Sequence, residues 1–336
     1  MNNHIKNVAL TDCPNHERVV EMKLVVVDHV HLKDRHIQQL HRMGELQVFA
    51  DPPSSEEELK KRMQGADIVI VGWSNITEEL LESLPNLKMI AIWATTCHYV
   101  DLQAAKRRGI VVTHVPGYGT EAVAEHAFVL LLAATRKLLL ADRHVREGKF
   151  DWRPLRGAEL AGKTIGLIGT GAIGLRVGEI AKGFGMNILG YDIMPNAKRA
   201  QEIGMKYVDL QALLKESDVI SLHVTLSSKS EHLIGKREFE MMKKGAILIN
   251  TSQGKVLDEK ELVNALVSGK LSCAGVDVFS QEPPAPDNPL FKLDNVVLTP
   301  HVGFHTTEAV ERCSDICINN VAKFLEGHPQ NTCASP

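Results

Sequence analysis

Short β-branched and aliphatic runs alternate along this chain with segments whose apolar positions recur at helical spacing. That alternation predicts an α/β fold of parallel sheets with helices on both faces. "KLVVVD" (23–28), "ADIVIV" (66–71), "LKMIAIWA" (87–94) and "GIVVTHVP" (109–116) are the first four expected strands. "SEEELKKRMQ" and "TEELLESLP" each open on Ser or Thr with acids in the first turn, the mark of a capped helix start. "EAVAEHAFVLLLAATRKLLLADRHVREG" is apolar nearly all round, which predicts one long helix buried between layers; its charged interruptions argue against a membrane span. A second series then begins with six expected strands: 164–170, 187–192, 219–224, 246–251, 274–279 and 295–300. The amphipathic segment 306–327 follows the final strand and is expected to return to the first domain.

At 336 residues the chain is too long for one ordinary core and suits two domains. The formal net charge of -3 comes from mixed acids and bases, so nucleic acid and membrane surfaces are not expected partners. Six cysteines are scattered with no zinc-type or disulfide-framework spacing, so no metal site is expected and the compartment reads as reducing. The start, "MNNHIKNVALTDCPNHERVVEM", is polar and has no apolar core of a signal peptide, and a soluble cytoplasmic protein is expected.

The strand "TIGLIGT" runs into Gly169, Thr170, Gly171, Ala172, Ile173 and Gly174, then a helix, and the next strand ends in Asp192. Glycines there permit a tight turn and close approach of a pyrophosphate to a helix N-terminus. An acid about 20 residues on accepts from the ribose hydroxyls and repels a 2′-phosphate, which favours NAD over NADP. A glycine turn in another α/β fold is the competing reading. Asp277 and Glu282 lie at and just past one strand end, and His301 follows the next, where ligands bind in open parallel sheets. A histidine with a carboxylate neighbour can pass a proton near neutral pH, although a lone loop histidine is more often solvated or capping. A third strand end, "ILINTSQGKVLDEKEL" (247–262), carries neutral Gln253 in its turn where a cation would be expected.

From about residue 60 to 325 the chain resembles the D-isomer-specific 2-hydroxyacid dehydrogenases, most of all the glycerate or hydroxypyruvate branch. "VDLQAAKRRGIVVTHVPGYGTEAVAEHAFVLLLA", "ELAGKTIGLIGTGAIG", "LINTSQGKVLDEKELVNAL" and "GVDVFSQEPPAPDNPLFKLDNVVLTPHVG" carry the resemblance. It implies two doubly wound parallel-sheet domains, with a Rossmann NAD-binding domain (118–304) inserted into a flavodoxin-like substrate-binding domain (1–117 and 305–336). It also implies a homodimer closing around a cleft and acting on a small-molecule substrate. By the resemblance His301 is the general acid, Glu282 orients it, and Asp277 holds the nicotinamide carboxamide. Val224, Thr225, Thr251, Ser252 and Gly303 complete the cofactor contacts, and Thr95, Thr96, Cys97, His98 and Tyr118 contact substrate.

Two departures bear on the substrate. The family turn reads Ala-Arg-Gly where this chain has Ser252-Gln253-Gly254, which removes a charge-assisted interaction of about 1.5–3 kcal/mol. The carboxylate-cradling loop, glycine-rich in the family, reads "WATTCHYVD", and β-branched Thr95 and Thr96 disfavour the left-handed geometry glycine allows. Side-chain hydroxyls are expected to take over from the loop amides. Both changes together point to an altered substrate, with Lys255 either restoring a cation or simply solvated. The rival reading is an NAD-binding scaffold or sensor that has lost catalysis, but drift to that role gives no reason to keep Glu282 and His301. Cys97 reads as a pocket wall or a nucleophile. Trp93 and Tyr99 read as packing the cleft wall.

Overall fold

The computed structural model describes residues 22–334; the polar amino-terminal stretch and Cys13 lie outside the described residues. Among the described residues there are thirteen strands: β1 Lys23–Val26, β2 Glu45–Val48, β3 Ile68–Val71, β4 Met89–Ile92, β5 Val111–Thr113, β6 Thr164–Ile168, β7 Asn187–Tyr191, β8 Met205–Tyr207, β9 Val219–Leu222, β10 Ala246–Asn250, β11 Leu271–Val276, β12 Val296–Leu298 and β13 Thr332–Ala334. The chain divides into two compact units, one running to Pro116 and resuming at Ser314, the other Gly117–Cys313. The return crossing lies inside the helix Thr307–Leu325, past the boundary expected at 304/305.

In the first unit the sheet order is β13-β5-β4-β3-β1-β2, parallel except for β13, which runs antiparallel to β5. Ser55 and Thr77 cap their helices as the sequence implies, accepting from the amides of Glu58 and Leu80. β2 was not expected: its residues are mostly exposed, so it lacks the apolar run that marks a buried strand. Trp93 is 1 % exposed and donates through Nε1 to Ser314 Oγ at 3.0 Å, so it belongs to this unit's core and not to a cleft wall.

In the second unit the sheet order is β12-β11-β10-β9-β6-β7-β8, parallel throughout. Ile247 and Ile249 join the apolar cluster on one face and Leu248 the cluster on the other, as a sheet covered on both sides requires. The six expected strands are joined by a seventh, β8. The expected single long helix is two, Thr120–Thr135 and Leu138–Arg146. The chain breaks at Lys137, which takes a left-handed φ of 51° while its ammonium donates to the Pro154 carbonyl. The first of these helices is largely buried, whereas the second has no buried residue.

One expectation needs correction. Cysteines too scattered to pair by spacing are brought together by the fold: Cys97 and Cys333, separated by 236 residues, form a disulfide. Cys273, Cys313 and Cys317 are buried. Among the described residues no helix is long and apolar enough to cross a membrane.

Candidate active site

The carboxyl ends of adjacent strands β6, β9, β10, β11 and β12 carry the residues of interest in the second unit. After β6, Gly169 takes a φ of +90°, and a Cβ there would meet the His223 carbonyl oxygen at 2.6 Å. Gly174 faces the Gly169 carbonyl so closely that a Cβ would lie 2.1 Å from it, while Gly171 looks into open space. Gly171 also precedes the helix Ala172–Gly183 and offers no side-chain cap, so the first-turn amides remain available to an anion. Val224 presses on the same turn: a Cβ at Gly169 would come within 2.9 Å of it.

Asp192, at the end of β7, accepts from the Thr170 amide (2.6 Å) and hydroxyl (3.0 Å) and from the Met194 amide (2.9 Å). Burial works to raise its pKa, but the amides of Met194 and Thr170 and the Thr170 hydroxyl outweigh it and hold the carboxyl below its usual range. A fixed anion at this place suits ribose hydroxyls and opposes a 2′-phosphate. Thr251, at the end of β10, is 7 % exposed and its hydroxyl has no protein partner. The open cradle at Gly171 and this orphan hydroxyl both fit a dinucleotide.

The turn after β10 is built on fully buried Asn250. Its Oδ1 accepts from the Ser252 amide and hydroxyl, and its Nδ2 donates to the Gln253 carbonyl at 3.0 Å. Gly254 then abuts the loop after β11, where a Cβ would sit 1.9 Å from the Phe279 carbonyl oxygen. That contact brings the Gln253 turn against the loop carrying Glu282, whose Oε1 accepts from the Phe279 amide at 3.0 Å. Lys255 is exposed.

Glu282 Oε2 and His301 Nδ1 are 2.7 Å apart. Burial alone would lower the histidine pKa; the hydrogen bond and charge of Glu282, aided by Asp277, raise it instead. For Glu282, burial is likewise overcome by the His301 bond, and its pKa falls. His301 adopts a left-handed φ of 54°, held by Asp277. The Asp277 carbonyl accepts the His301 amide (2.8 Å), and its carboxylate accepts from Thr299 Oγ1 (2.6 Å), Val302 N (2.9 Å) and Gly303 N (2.8 Å). His126 closes the cluster, its Nε2 at 3.3 Å from Asp277 Oδ1 and 3.0 Å from Thr299 Oγ1. Beside the pair lies an apolar cavity of about 360 Å³ lined by Phe279, Pro284, Phe291 and Leu298. Sequence reading missed His126 and Thr299; a lone histidine inside the apolar run "EAVAEHAFVLLL" was the available signal.

Tyr118 is 8 % exposed and packs edge-on against Phe304, itself near His301. In the first unit Thr95 Oγ1 donates to the Val115 carbonyl and Thr96 Oγ1 to the Tyr99 hydroxyl, so both hydroxyls already have acceptors. Residues 95–98 are absent from the described residues with left-handed φ. Thr225 is exposed after β9, and the His98 ring lies tilted at 52° against Tyr99, with ring centroids 4.0 Å apart.

A parallel sheet presenting a dinucleotide turn and a hydrogen-bonded His–Glu pair along one edge defines a nicotinamide-dependent oxidoreductase. Residues 128–303 match the profile of the D-isomer specific 2-hydroxyacid dehydrogenase, NAD binding domain. The chain is 41 % identical over 302 residues to a glyoxylate reductase of Korarchaeum cryptofilum, covering 88 % of this chain and 91 % of that protein. It is 38 % identical over 321 residues to a hydroxypyruvate reductase of Blautia hydrogenotrophica, covering 92 % and 99 %. A solved structure of an acyclic imino acid reductase in complex with NADPH and D-Arg superposes with a TM-score of 0.86 at 37 % identity, covering 93 % of this chain and 99 % of that one. The chain belongs to the D-isomer specific 2-hydroxyacid dehydrogenase family. It is an NAD-dependent oxidoreductase acting on CH–OH donors, and an inactive scaffold is not favoured.

Proposed function

We propose that this enzyme reduces a 2-oxo acid or a closely related carbonyl compound, with His301 as the general acid. The observation that carries this reading is the 2.7 Å His301–Glu282 pair on a turn fixed by Asp277. Glu282 keeps Nδ1 as the partner of its carboxylate, so the proton delivered to the substrate oxygen leaves from Nε2. NADH supplies the hydride when bound. The turn at Gly169, Gly171, Ala172, Ile173 and Gly174 with Asp192, Val224, Thr225, Thr251, Ser252 and Gly303 is assigned to the cofactor. Asp277 is assigned first to holding the His301 turn and, through it, to the nicotinamide end.

Gln253 is proposed to stand where relatives carry a substrate-binding arginine, with Thr95, Thr96, Cys97, His98 and Tyr118 on the substrate side. A second reading is favoured by the same residue and by the likeness to an imino acid reductase. A cation would repel a protonated C=N, whereas the amide oxygen of Gln253 can accept from its N–H. A homodimer is proposed because Leu138, Leu139, Val145, Phe150 and Trp152 are exposed apolar residues on one stretch, a surface suited to a second copy of the chain. A cytoplasmic, reducing location is proposed from the demand for a nicotinamide pool.

The test is NADH oxidation with a panel of 2-oxo acids, with and without ammonia or small primary amines, on wild type and His301→Ala. Turnover lost in the variant with NADH affinity intact supports the assignment; unchanged turnover overturns it.

A further inference from the structure

Three donors suited to soft cations meet in the first unit from separate stretches of chain. Cys97 lies in the loop after β4, His114 just past β5, and Cys333 in β13 beside β5. The two sulfurs are close enough to be bonded, and with a ring nitrogen of His114 the three ligand atoms all fall within 4.8 Å of one another. All three residues are half-buried. His114 Nδ1 lies 2.6 Å from the Thr95 carbonyl oxygen. A carbonyl only accepts, so Nδ1 carries a hydrogen, and in the neutral ring Nε2 is the nitrogen left with a lone pair. Metal-ligating histidines are oriented in this way, by a hydrogen bond from the nitrogen that does not bind the ion. A disulfide alone needs neither a third donor nor an oriented imidazole beside it.

We propose that Cys97, His114 and Cys333 form a metal site that, in the dithiol state, holds one zinc-like divalent cation through two thiolates and an imidazole. Water completes the tetrahedron. The disulfide is the oxidised, metal-free form of the same site. Its reduction takes two electrons and two protons and yields two thiols. A phosphine reductant supplies the electrons and leaves as its oxide, with the oxygen drawn from water. In a reducing compartment a protein or small-molecule dithiol does the same and becomes a disulfide itself. Cation binding then forms two sulfur–metal bonds and releases both thiol protons to solvent. Either state closes the 95–98 loop onto the terminal strand.

The test uses the full chain, reduced with a phosphine, stripped with a chelator, desalted and titrated with Co²⁺ as an optical probe. The expected result is one Co²⁺ per chain, with thiolate-to-cobalt charge-transfer absorption that Zn²⁺ abolishes by displacement. The oxidised chain should take up none, Cys333→Ser should lose the charge-transfer band, and His114→Ala should weaken binding at least about tenfold. Circular dichroism and thermal unfolding serve as the folding control, because the cofactor turn belongs to the other unit and NADH affinity would not report on this one. If Cys333→Ser fails to fold, His114→Ala decides alone. Absence of stoichiometric uptake by the reduced wild type, or titration of His114→Ala indistinguishable from wild type, overturns the proposal.

Discussion

Replacing Gly171 and Gly174 by alanine, one at a time, separates what the glycine turn does for the fold from what it does for the cofactor. Gly171 has φ −67° and ψ −165°, a conformation alanine adopts freely, and its added Cβ meets nothing within 4 Å. Restricting the unfolded chain should therefore stabilise Gly171→Ala by about 0.4–1 kcal/mol. The methyl group would nevertheless stand in the space assigned to the pyrophosphate. Losing one charge-assisted amide contact costs about 1.5–3 kcal/mol, which raises the NADH Kd about 10- to 150-fold. Gly174→Ala behaves in the opposite way. Its Cβ would lie 2.1 Å from the Gly169 carbonyl oxygen, so the helix start must move, at an overpacking cost of about 1–3 kcal/mol. For a unit of this size, that lowers Tm by roughly 2–12 °C. The assays are thermal unfolding without cofactor and fluorescence titration with NADH. If Gly171→Ala melts no lower than wild type and binds NADH equally well, the pyrophosphate does not sit on this turn.

Asp192→Ala should narrow the preference for NADH over NADPH, because the fixed anion that opposes a 2′-phosphate is gone; an unchanged ratio of the two affinities would refute that role. Glu282→Gln removes the group that raises the His301 pKa. Reduction requires protonated His301 and fades as pH rises through that pKa, so in this variant the decline in kcat/KM should begin at lower pH. Oxidation requires the neutral ring, and its rise should also begin at lower pH; a profile that does not move would detach Glu282 from the proton step. Gln253→Arg should raise kcat/KM on glyoxylate or hydroxypyruvate and lower it on the native substrate, where a guanidinium without its partner costs several kcal/mol. If the wild type already reduces hydroxypyruvate as fast as its relatives do, Gln253 is merely tolerated.

The second unit was legible because its signals are local. Each of its six expected strands is a run of apolar residues ending in chemistry, and the turn at Gly169 with Asp192 carries its reason in consecutive residues. What escaped was set by partners distant in sequence or by exposure. β2 is a polar edge, and β13 exists because β5 offers a free edge to a segment more than 200 residues later. The Cys97–Cys333 pair spans 236 residues, a separation at which spacing carries no information. The break at Lys137 is a single left-handed residue, and the apolar periodicity runs on through it. Asp277 shows the same limit within the site. Its position at a strand end was readable, whereas its grip on Thr299, Val302 and Gly303 appears only once the chain has folded.

The division at Pro116 and Ser314 also imposes an order in time on a chain made from its amino terminus. β1 to β5 leave the ribosome early, but the groups that complete their unit come last. Ser314 receives Trp93, Asp315 receives His36, Asn320 Nδ2 donates to the His114 carbonyl, and the Asn331 carbonyl accepts the His114 amide. Between them lie roughly 200 residues of the other unit, on the order of 10–40 s of synthesis at ~5–20 residues per second. Throughout that interval β5 is an unpaired edge of a nascent sheet, open to the wrong strand. The inserted unit, whose segments are contiguous, can close while its host waits, so the first third of the chain is the part that most needs a chaperone during translation.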